Sequence, residues 1–256
     1  VCCSFFMADN RGKRSRIDNF IGWVLRLFTS TSARQIQNAS PQEPEPYYFG
    51  VPLSTICSDD ARLEDNIPLP LFNAANALQN FLTIEGLFRV SGIFSEMNKM
   101  KGTFESKEIP DFSNVNSVHS IAGFIEMWLR ELPEPLTTHD LYDEFTGCIK
   151  ENENDEDLVK KLSECVKKLP ECNRVVLAFF LRLMKQIAEN ADENKMNEKN
   201  LGVVFGSVLL GSSVFSFSLD MKQQLQNQNI IIQTLISNVD TFFPLEEYPY
   251  PIQSDA

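Results

Sequence analysis

One arginine, Arg89, lies in a short segment bounded by two glycines, Gly86 and Gly92. Glycine adopts backbone conformations that other residues rarely reach, so the segment predicts a tight turn. Phe88 and Val90 flank the arginine and are expected to insert into the core, which would leave only the guanidinium projecting outward. A guanidinium stays ionised at physiological pH and offers a rigid fork of donors. Such a group suits phosphate oxygens on which negative charge develops; the alternative is an ordinary surface arginine near a turn.

A second arginine, Arg130, falls in the last predicted turn of an amphipathic helix that Pro133 should stop. In one interpretation, Arg130 interacts with the carbonyl end of its own helix, which contributes about 0.3 to 1 kcal/mol. In the other, its donors bond to backbone carbonyls of the segment that carries Arg89 and fix the direction of that side chain. The sequence leaves both interpretations open, because it does not place the two segments together.

Other common kinds of site are not indicated. The six cysteines form no pair of Cys-x-x-Cys motifs and no Cys/His set at metal spacing, which favours a reduced intracellular protein. His119 and His139 are expected to make structural hydrogen bonds, because neither accompanies a serine or cysteine in the context of a hydrolytic nucleophile. The chain contains no Gly-x-x-x-x-Gly-Lys-Ser/Thr phosphate loop.

The elements that must position these residues are predicted to be helices. Apolar residues recur at helical spacing between Pro, Gly and Asn punctuation, and sustained strand-like alternation is absent. The predicted helices are Leu71–Phe81, Val118–Leu132, Asp140–Ile149, Glu156–Lys168, Asn173–Glu189, Glu198–Leu210 and Gln228–Phe242. Asn173 and Asn197 are predicted to lie at the starts of two of them. The sequence therefore predicts an all-α domain.

Residues 1–46 are predicted to form an extension before this domain. Residues 11–28 combine clustered Arg and Lys with an apolar stripe at helical spacing, and Thr29–Pro46 has the Ser, Thr, Gln and Pro content of a linker. The basic amphipathic helix could touch an anionic membrane surface weakly, or it could pack on this domain or on a neighbouring one. The compact domain is expected at residues 47–244, followed by a C-terminal tail at 245–256.

The charge distribution argues against nucleic acid as a partner. The net charge is −12, although residues 1–40 carry six basic and only two acidic side chains. The rest of the chain is therefore strongly acidic and would repel phosphates. No apolar run approaches the roughly 18 residues of a transmembrane helix. We expect a cytoplasmic protein that can be recruited to membrane surfaces, and nothing in the sequence indicates a homo-oligomer.

Four motifs, in the same order along the chain, resemble the Rho-family GTPase-activating protein (RhoGAP) domain. The matching segments are Phe49–Leu53 for its opening, Gly86–Gly92 for its arginine-finger loop, His119–Leu136 for its signature helix and turn, and Asn194–Leu201 with Val203–Gly206 for a later helix. The resemblance extends from Tyr47 to Phe243. Four motifs together are far more specific than any one of them.

The resemblance implies a helical domain that binds the switch regions of a GTP-loaded Rho, Rac or Cdc42-type GTPase and speeds GTP hydrolysis. Arg89 would be the finger, Arg130 would support its loop, and Asn200 would hold loop or switch backbone through its amide. Without the resemblance, Asn200 could equally be a helix N-terminal asparagine. The partner would hold GTP and magnesium, so the domain would need no cofactor and would be an activator without catalytic activity of its own.

The chain departs from the family pattern at two places. Glu126 stands where the family commonly has lysine, and Ser207-Val208 stands where it commonly has Pro-Asn. Glu126 could pair with Arg130, weaken docking, or select a partner with a basic residue opposite. The second departure is expected to alter packing near Asn200. Both departures support an alternative function, in which a RhoGAP-fold module docks on GTPases or other signalling partners without strong catalysis.

Overall fold

The computed structural model describes residues 45–149, 155–211 and 221–250. The chain divides into two units, residues 1–45 and 46–256, and the description below concerns the second. The amphipathic helix at 11–28, the linker up to residue 44 and the last six residues of the predicted tail lie outside the described residues.

Helices make up most of the described structure, and the predicted all-α class is confirmed. They are α1 Leu53–Cys57, α2 Leu69–Leu78, α3 Phe94–Glu105, α4 Val118–Glu131, α5 Tyr142–Gly147, α6 Asp155–Lys168, α7 Glu171–Glu189, α8 Ala191–Asn194, α9 Glu198–Leu209, α10 Met221–Ser237 and α11 Val239–Phe242. Single 3₁₀ turns lie at Asp60–Arg62, Gln79–Phe81 and Phe112–Asn114. A two-residue antiparallel hairpin pairs β1, Leu63–Glu64, with β2, Ile67–Pro68.

The prediction missed α3 altogether. Only Met100 and Phe104 of this helix are buried, and Gly102 lies inside it. So few core-facing positions produce no clear apolar stripe.

The N-terminal boundary of α7 was also wrong. The helix begins at Glu171, directly after Pro170, which has the extended backbone of an N-cap. Asn173 therefore lies inside the first turn, where its buried side chain donates to the carbonyl of Leu136 at 3.0 Å. In contrast, Asn197 does cap α9, because its side chain accepts from the backbone N–H of Asn200.

The core is built around α7. Every side chain from Val176 to Met184 is buried, so this central part of the helix is covered on all sides. The helices α9 and α10 pack along each other and both contact α7. None of the helices in the described residues is long and apolar enough to cross a membrane.

The beginning of the domain is attached to α3 and α4. The Glu105 carboxylate accepts the backbone N–H groups of Tyr47, Tyr48 and Phe49 at 2.7, 2.8 and 2.9 Å. The indole of Trp128 donates to the carbonyl of Tyr48 at 3.2 Å. These bonds fix the chain entry beside the two helices that bracket the candidate site.

Candidate functional site

The segment Gly86–Gly92, called the Arg89 loop below, is a tight turn closed by its own backbone. The N–H groups of Arg89 and Val90 both donate to the carbonyl of Gly86, at 2.9 and 2.8 Å. Gly86 has a φ of +77°, a value that suits glycine, and Phe88 has a φ of +64°. The predicted turn is therefore present, and the backbone direction at Arg89 follows from the position of Gly86.

Two consecutive side chains anchor the Arg89 loop in the core. Leu87 and Phe88 are buried, and the ring of Phe88 meets that of Phe205 edge to face at 5.1 Å. Phe205 in turn contacts Phe180 of α7 at 4.9 Å. The expected insertion of Val90 was wrong, because 47% of this residue is exposed. The turn buries two adjacent residues and turns the next two outward, whereas the prediction assumed alternation.

The C-terminal end of the loop packs directly on α4. A Cβ atom at Gly92 would lie 2.5 Å from the Cα of Ser120 and 2.6 Å from the carbonyl oxygen of His119. The hydroxyl of Ser120 accepts the N–H of Ile93 at 2.9 Å and donates to Glu96 at 2.6 Å. This last bond is the main reason that the pKa of Glu96 lies below its ordinary value.

The Arg89 side chain itself is weakly held. About half of it (49%) is exposed, and its ion pair is with Glu85 at 3.7 Å, a carboxylate that is 71% exposed. An exposed pair of this kind contributes about 0.2 to 1 kcal/mol. The guanidinium can therefore leave Glu85 for a stronger anion at little cost.

Arg130 lies next to the same loop, and its described hydrogen bond is to Glu126. Its Nε donates to Oε1 of Glu126 at 2.7 Å, with 50% of the arginine and 24% of the glutamate side chain exposed. Within the described residues, no hydrogen bond joins Arg130 to the Arg89 loop. Both members of the pair nevertheless line one surface groove with that loop. This Arg130 groove, of about 400 Å³, is lined by Phe88, Val90, Ser91, Gly92, Phe94, Met97, Gly123, Glu126, Met127, Arg130 and Glu131.

Asn200 stabilises the segment that precedes α9. Its side-chain amide donates to the carbonyl of Lys195 at 2.9 Å, and Lys195 ends α8 with a φ of +61°. The preceding residue, Asn194, accepts the N–H of Gly86 through its backbone carbonyl at 2.7 Å. Asn200 is therefore connected to the Arg89 loop indirectly: it bonds to Lys195, and the neighbouring Asn194 bonds to Gly86. Ser207 and Val208 lie about two turns further along α9, with Val208 buried, and they do not contribute to this bond.

The two histidines differ. Nδ1 of His139 lies 3.0 Å from the carbonyl oxygen of Gly211, as expected of a structural residue. Nδ1 of His119 is buried with no hydrogen-bond partner among the described residues. Within the same residues, no group of three or more His, Cys, Asp or Glu side chains could hold a metal ion, and Cys57, Cys148, Cys165 and Cys172 form no disulfide.

Sequence reasoning missed the residues of the domain on which the Arg89 loop packs. Asn194, Ser120 and Phe205 all contact it, yet none has a type or spacing that separates it from an ordinary helix or loop residue. The available signal was that all three lie within segments that resemble family motifs, Ser120 in the signature helix and Asn194 and Phe205 in the later helix.

Comparison with known proteins agrees with the fold. A model of the RhoGAP domain matches residues 68–214. The Rho GTPase-activating protein gacY of Dictyostelium discoideum is 30% identical over 198 residues, which cover 76% of this chain and 27% of that protein. The human Rho GTPase-activating protein 44 is 33% identical over 163 residues, covering 63% of this chain and 20% of that one. The chain thus spans roughly a quarter or less of these relatives.

Two solved structures have the same helical arrangement. The crystal structure of human Rho GTPase activating protein 15 superposes with a TM-score of 0.71 at 23% identity, over 83% of this chain and 100% of that one. The BH domain of GRAF, the GTPase regulator associated with focal adhesion kinase, gives 0.62 at 26% identity, over 75% of this chain and 97% of that one. Because the family model spans more than half of the chain and includes Arg89, Arg130 and Asn200, this protein belongs to the RhoGAP domain family.

Proposed function

We propose that this domain accelerates GTP hydrolysis by a Rho-type GTPase and that Arg89 is the arginine it supplies to the partner's active site. Membership in the RhoGAP family and the names of the relatives support the activity. The observation that carries the role of Arg89 is the contrast between its backbone and its side chain. The backbone is fixed by the Gly86 turn and the buried Phe88, whereas the guanidinium is half exposed.

Such a contrast suits stabilisation of a transition state. Because the backbone that carries Arg89 is already fixed, only the side chain has to be reoriented when charge develops on the transferred phosphoryl oxygens. An arginine supplied in trans accelerates hydrolysis by about 10³- to 10⁵-fold. That acceleration corresponds to roughly 4 to 7 kcal/mol, far more than the exposed pair with Glu85 can oppose. GTP, magnesium and the residue that orients water belong to the partner.

Arg130 and Asn200 have supporting roles in this proposal. Arg130 lines the Arg130 groove beside the loop, so a partner that covers the groove would exclude water around its guanidinium. Asn200 orders the Lys195 backbone, next to the residue that bonds to Gly86. Neither residue is placed to transfer a proton, and both act through the positions of loops.

A binding-only module is the second candidate, and one observation favours it. Glu126 holds Arg130 at 2.7 Å, and in the described structure Arg130 does not bond to the loop that it would support. A domain in this state could dock on a GTPase while leaving Arg89 imperfectly aimed.

The test is single-turnover hydrolysis by a panel of Rho, Rac and Cdc42-type GTPases, with the native protein, Arg89→Ala and Arg89→Lys. We expect the native protein to accelerate at least one partner by about 10³-fold or more, and both variants to lose most of this effect while still binding the GTP form. Arg174→Ala is the matched control, since Arg174 bonds to the carbonyls of Lys167 and Leu169, away from the Arg89 loop. Full acceleration by Arg89→Ala would refute the role of Arg89, and binding without acceleration by the native protein would establish the binding-only module.

A further inference from the structure

Asn194 has a fully buried side chain whose amide bonds to two other segments and to the backbone two residues further along the chain. Its Nδ2 donates to the carbonyl of Leu82 at 2.6 Å and to that of Ile187 at 2.7 Å. Its Oδ1 accepts the N–H of Met196 at 2.7 Å. Both donors and the acceptor oxygen of the amide are thus in use, and removal of the group would leave buried carbonyls and an N–H without partners.

The segments joined by this amide are the ones that support the Arg89 loop. Leu82 follows the 3₁₀ turn that leads into the loop, and Ile187 belongs to the buried helix α7. The backbone carbonyl of Asn194 also accepts the N–H of Gly86, the first residue of the loop, at 2.7 Å. One residue therefore bonds both to Gly86, where the loop begins, and to Leu82, in the segment that leads into the loop.

The position of Gly86 is passed on to Arg89 through the turn. The N–H groups of Arg89 and Val90 both bond to the carbonyl of Gly86, so a shift of Gly86 moves the turn that carries the guanidinium. Misplacement of a catalytic group by about 1 Å can cost roughly 10²-fold in rate. We propose that Asn194 is a positioning residue that sets the direction of Arg89, acting only through its bonds to Leu82 and Gly86 at the N-terminal end of the loop. This inference rests on the proposed function of Arg89, although its structural part does not.

Asparagine is the side chain that this position requires. Aspartate would place a carboxylate against the carbonyl oxygens of Leu82 and Ile187, with no donor for either. Serine has a single short hydroxyl, which cannot bridge the two carbonyls and the N–H of Met196 together. Alanine removes all three bonds and leaves a small cavity.

The experiment compares Asn194→Ala and Asn194→Ser with the matched control Asn173→Ala. Asn173 is also a buried asparagine on the α7 side of the core, and its amide holds the carbonyl of Leu136 instead of the Arg89 loop. The serine variant keeps a polar group in the pocket, so it reports on the loop if the alanine variant does not fold.

Two readouts are measured on the full chain. Amide hydrogen exchange of residues 82–92 needs no partner, and we expect it to be about tenfold or more faster in both Asn194 variants than in Asn173→Ala. With a responsive GTPase, we expect the stimulated kcat to fall by about 10- to 10²-fold while KM for the GTPase changes little. If the substitutions changed only the general stability, the Tm would fall in all variants, but the faster exchange of residues 82–92 and the loss of kcat at unchanged KM would not be confined to the Asn194 variants.

Unchanged exchange of residues 82–92 in the Asn194 variants would overturn the inference. An equal loss of kcat in Asn173→Ala would overturn it too, because the effect would then follow from destabilisation. If the native protein does not accelerate hydrolysis by any partner, the proposed function fails, and the exchange measurement still decides whether Asn194 holds the loop.

Discussion

Both arginines of the candidate site have a glutamate four residues earlier on the chain. The Glu85–Arg89 pair is long, at 3.7 Å, and its carboxylate is mostly exposed, whereas Glu126–Arg130 is close, at 2.7 Å, with the carboxylate largely covered. On a helix, glutamate four residues before a cation is the favourable order for such a pair. Arg89, which is expected to act on phosphate, is therefore held only weakly by Glu85, whereas Arg130, which is expected to support it, is bonded closely to Glu126.

We predict that Glu126→Lys raises the stimulated rate or widens the range of GTPases that respond. The substitution removes the partner of Arg130 and adds a repulsive charge at the same distance along the helix, so Arg130 is released toward the Arg130 groove. Single-turnover hydrolysis at two salt concentrations measures the change. Glu64→Lys, at an exposed glutamate of β1, controls for the altered net charge. If rate and partner choice both stay as in the native protein, Glu126 has no role in docking or selection.

At the scale of elements, the site depends on how closely the Arg89 loop approaches α4. Gly92 lies against the backbone of His119 and Ser120, and the Ser120 hydroxyl links Ile93 to Glu96 of α3. At its C-terminal end the loop therefore packs on α4 and continues into α3, and at its N-terminal end it is bonded to Asn194.

We predict that Gly92→Ala destabilises the protein by about 1 to 3 kcal/mol, because the added methyl group would overlap backbone atoms that cannot move independently. Gly102→Ala is the matched control in α3, where a Cβ would meet no atom within 4 Å. That change should stabilise by about 0.5 to 1 kcal/mol, since alanine loses less entropy in a helix. Denaturant unfolding measures both variants. Equal midpoints for the two variants would show that α4 can retreat from the loop.

For the molecule as a whole, Arg182 connects the last described segment to the central helix. It is buried in α7, its guanidinium donates to the backbone carbonyls of Phe243 and Tyr248, and Asp240 lies 3.6 Å from its Nε. Burial lowers the pKa of Arg182 from its ordinary value. Tyr250, two residues beyond Tyr248, packs over the ring of Phe179 at 5.2 Å. The chain beyond α11 therefore covers the core beside α7.

We predict that Arg182→Met lowers the free energy of unfolding by about 2 to 5 kcal/mol, because two carbonyls lose a charged donor at a buried position. Arg174→Met in the same helix is the control. Arg174 also bonds to two carbonyls, but it is less buried and those carbonyls lie close by in the chain, so about 1 kcal/mol or less is expected. Thermal and denaturant unfolding report both values. Similar losses in the two variants would mean that the segment after α11 contributes little to stability.

Local patterns in the sequence determined the class of the fold and the residues that could do chemistry. The apolar stripe of α4, the cap at Asn197 and the glycines around Arg89 are local features, and each predicted the structure found at that point. Where few residues of an element face the core, as in α3, the pattern was too weak, and at α7 the proline rather than the asparagine began the helix.

Only the tertiary structure decided which side chains meet across the chain. Val90 faces solvent because Phe88 and Leu87 already fill the core beneath the turn, and Arg130 bonds to Glu126 on its own helix instead of to the Arg89 loop. Asn194 is more than a hundred positions from Gly86 and Leu82 along the chain, and it joins them in space. Sequence periodicity reports on neighbours three or four residues apart. Contacts between distant segments depend instead on how complete helices pack, and those contacts position Arg89.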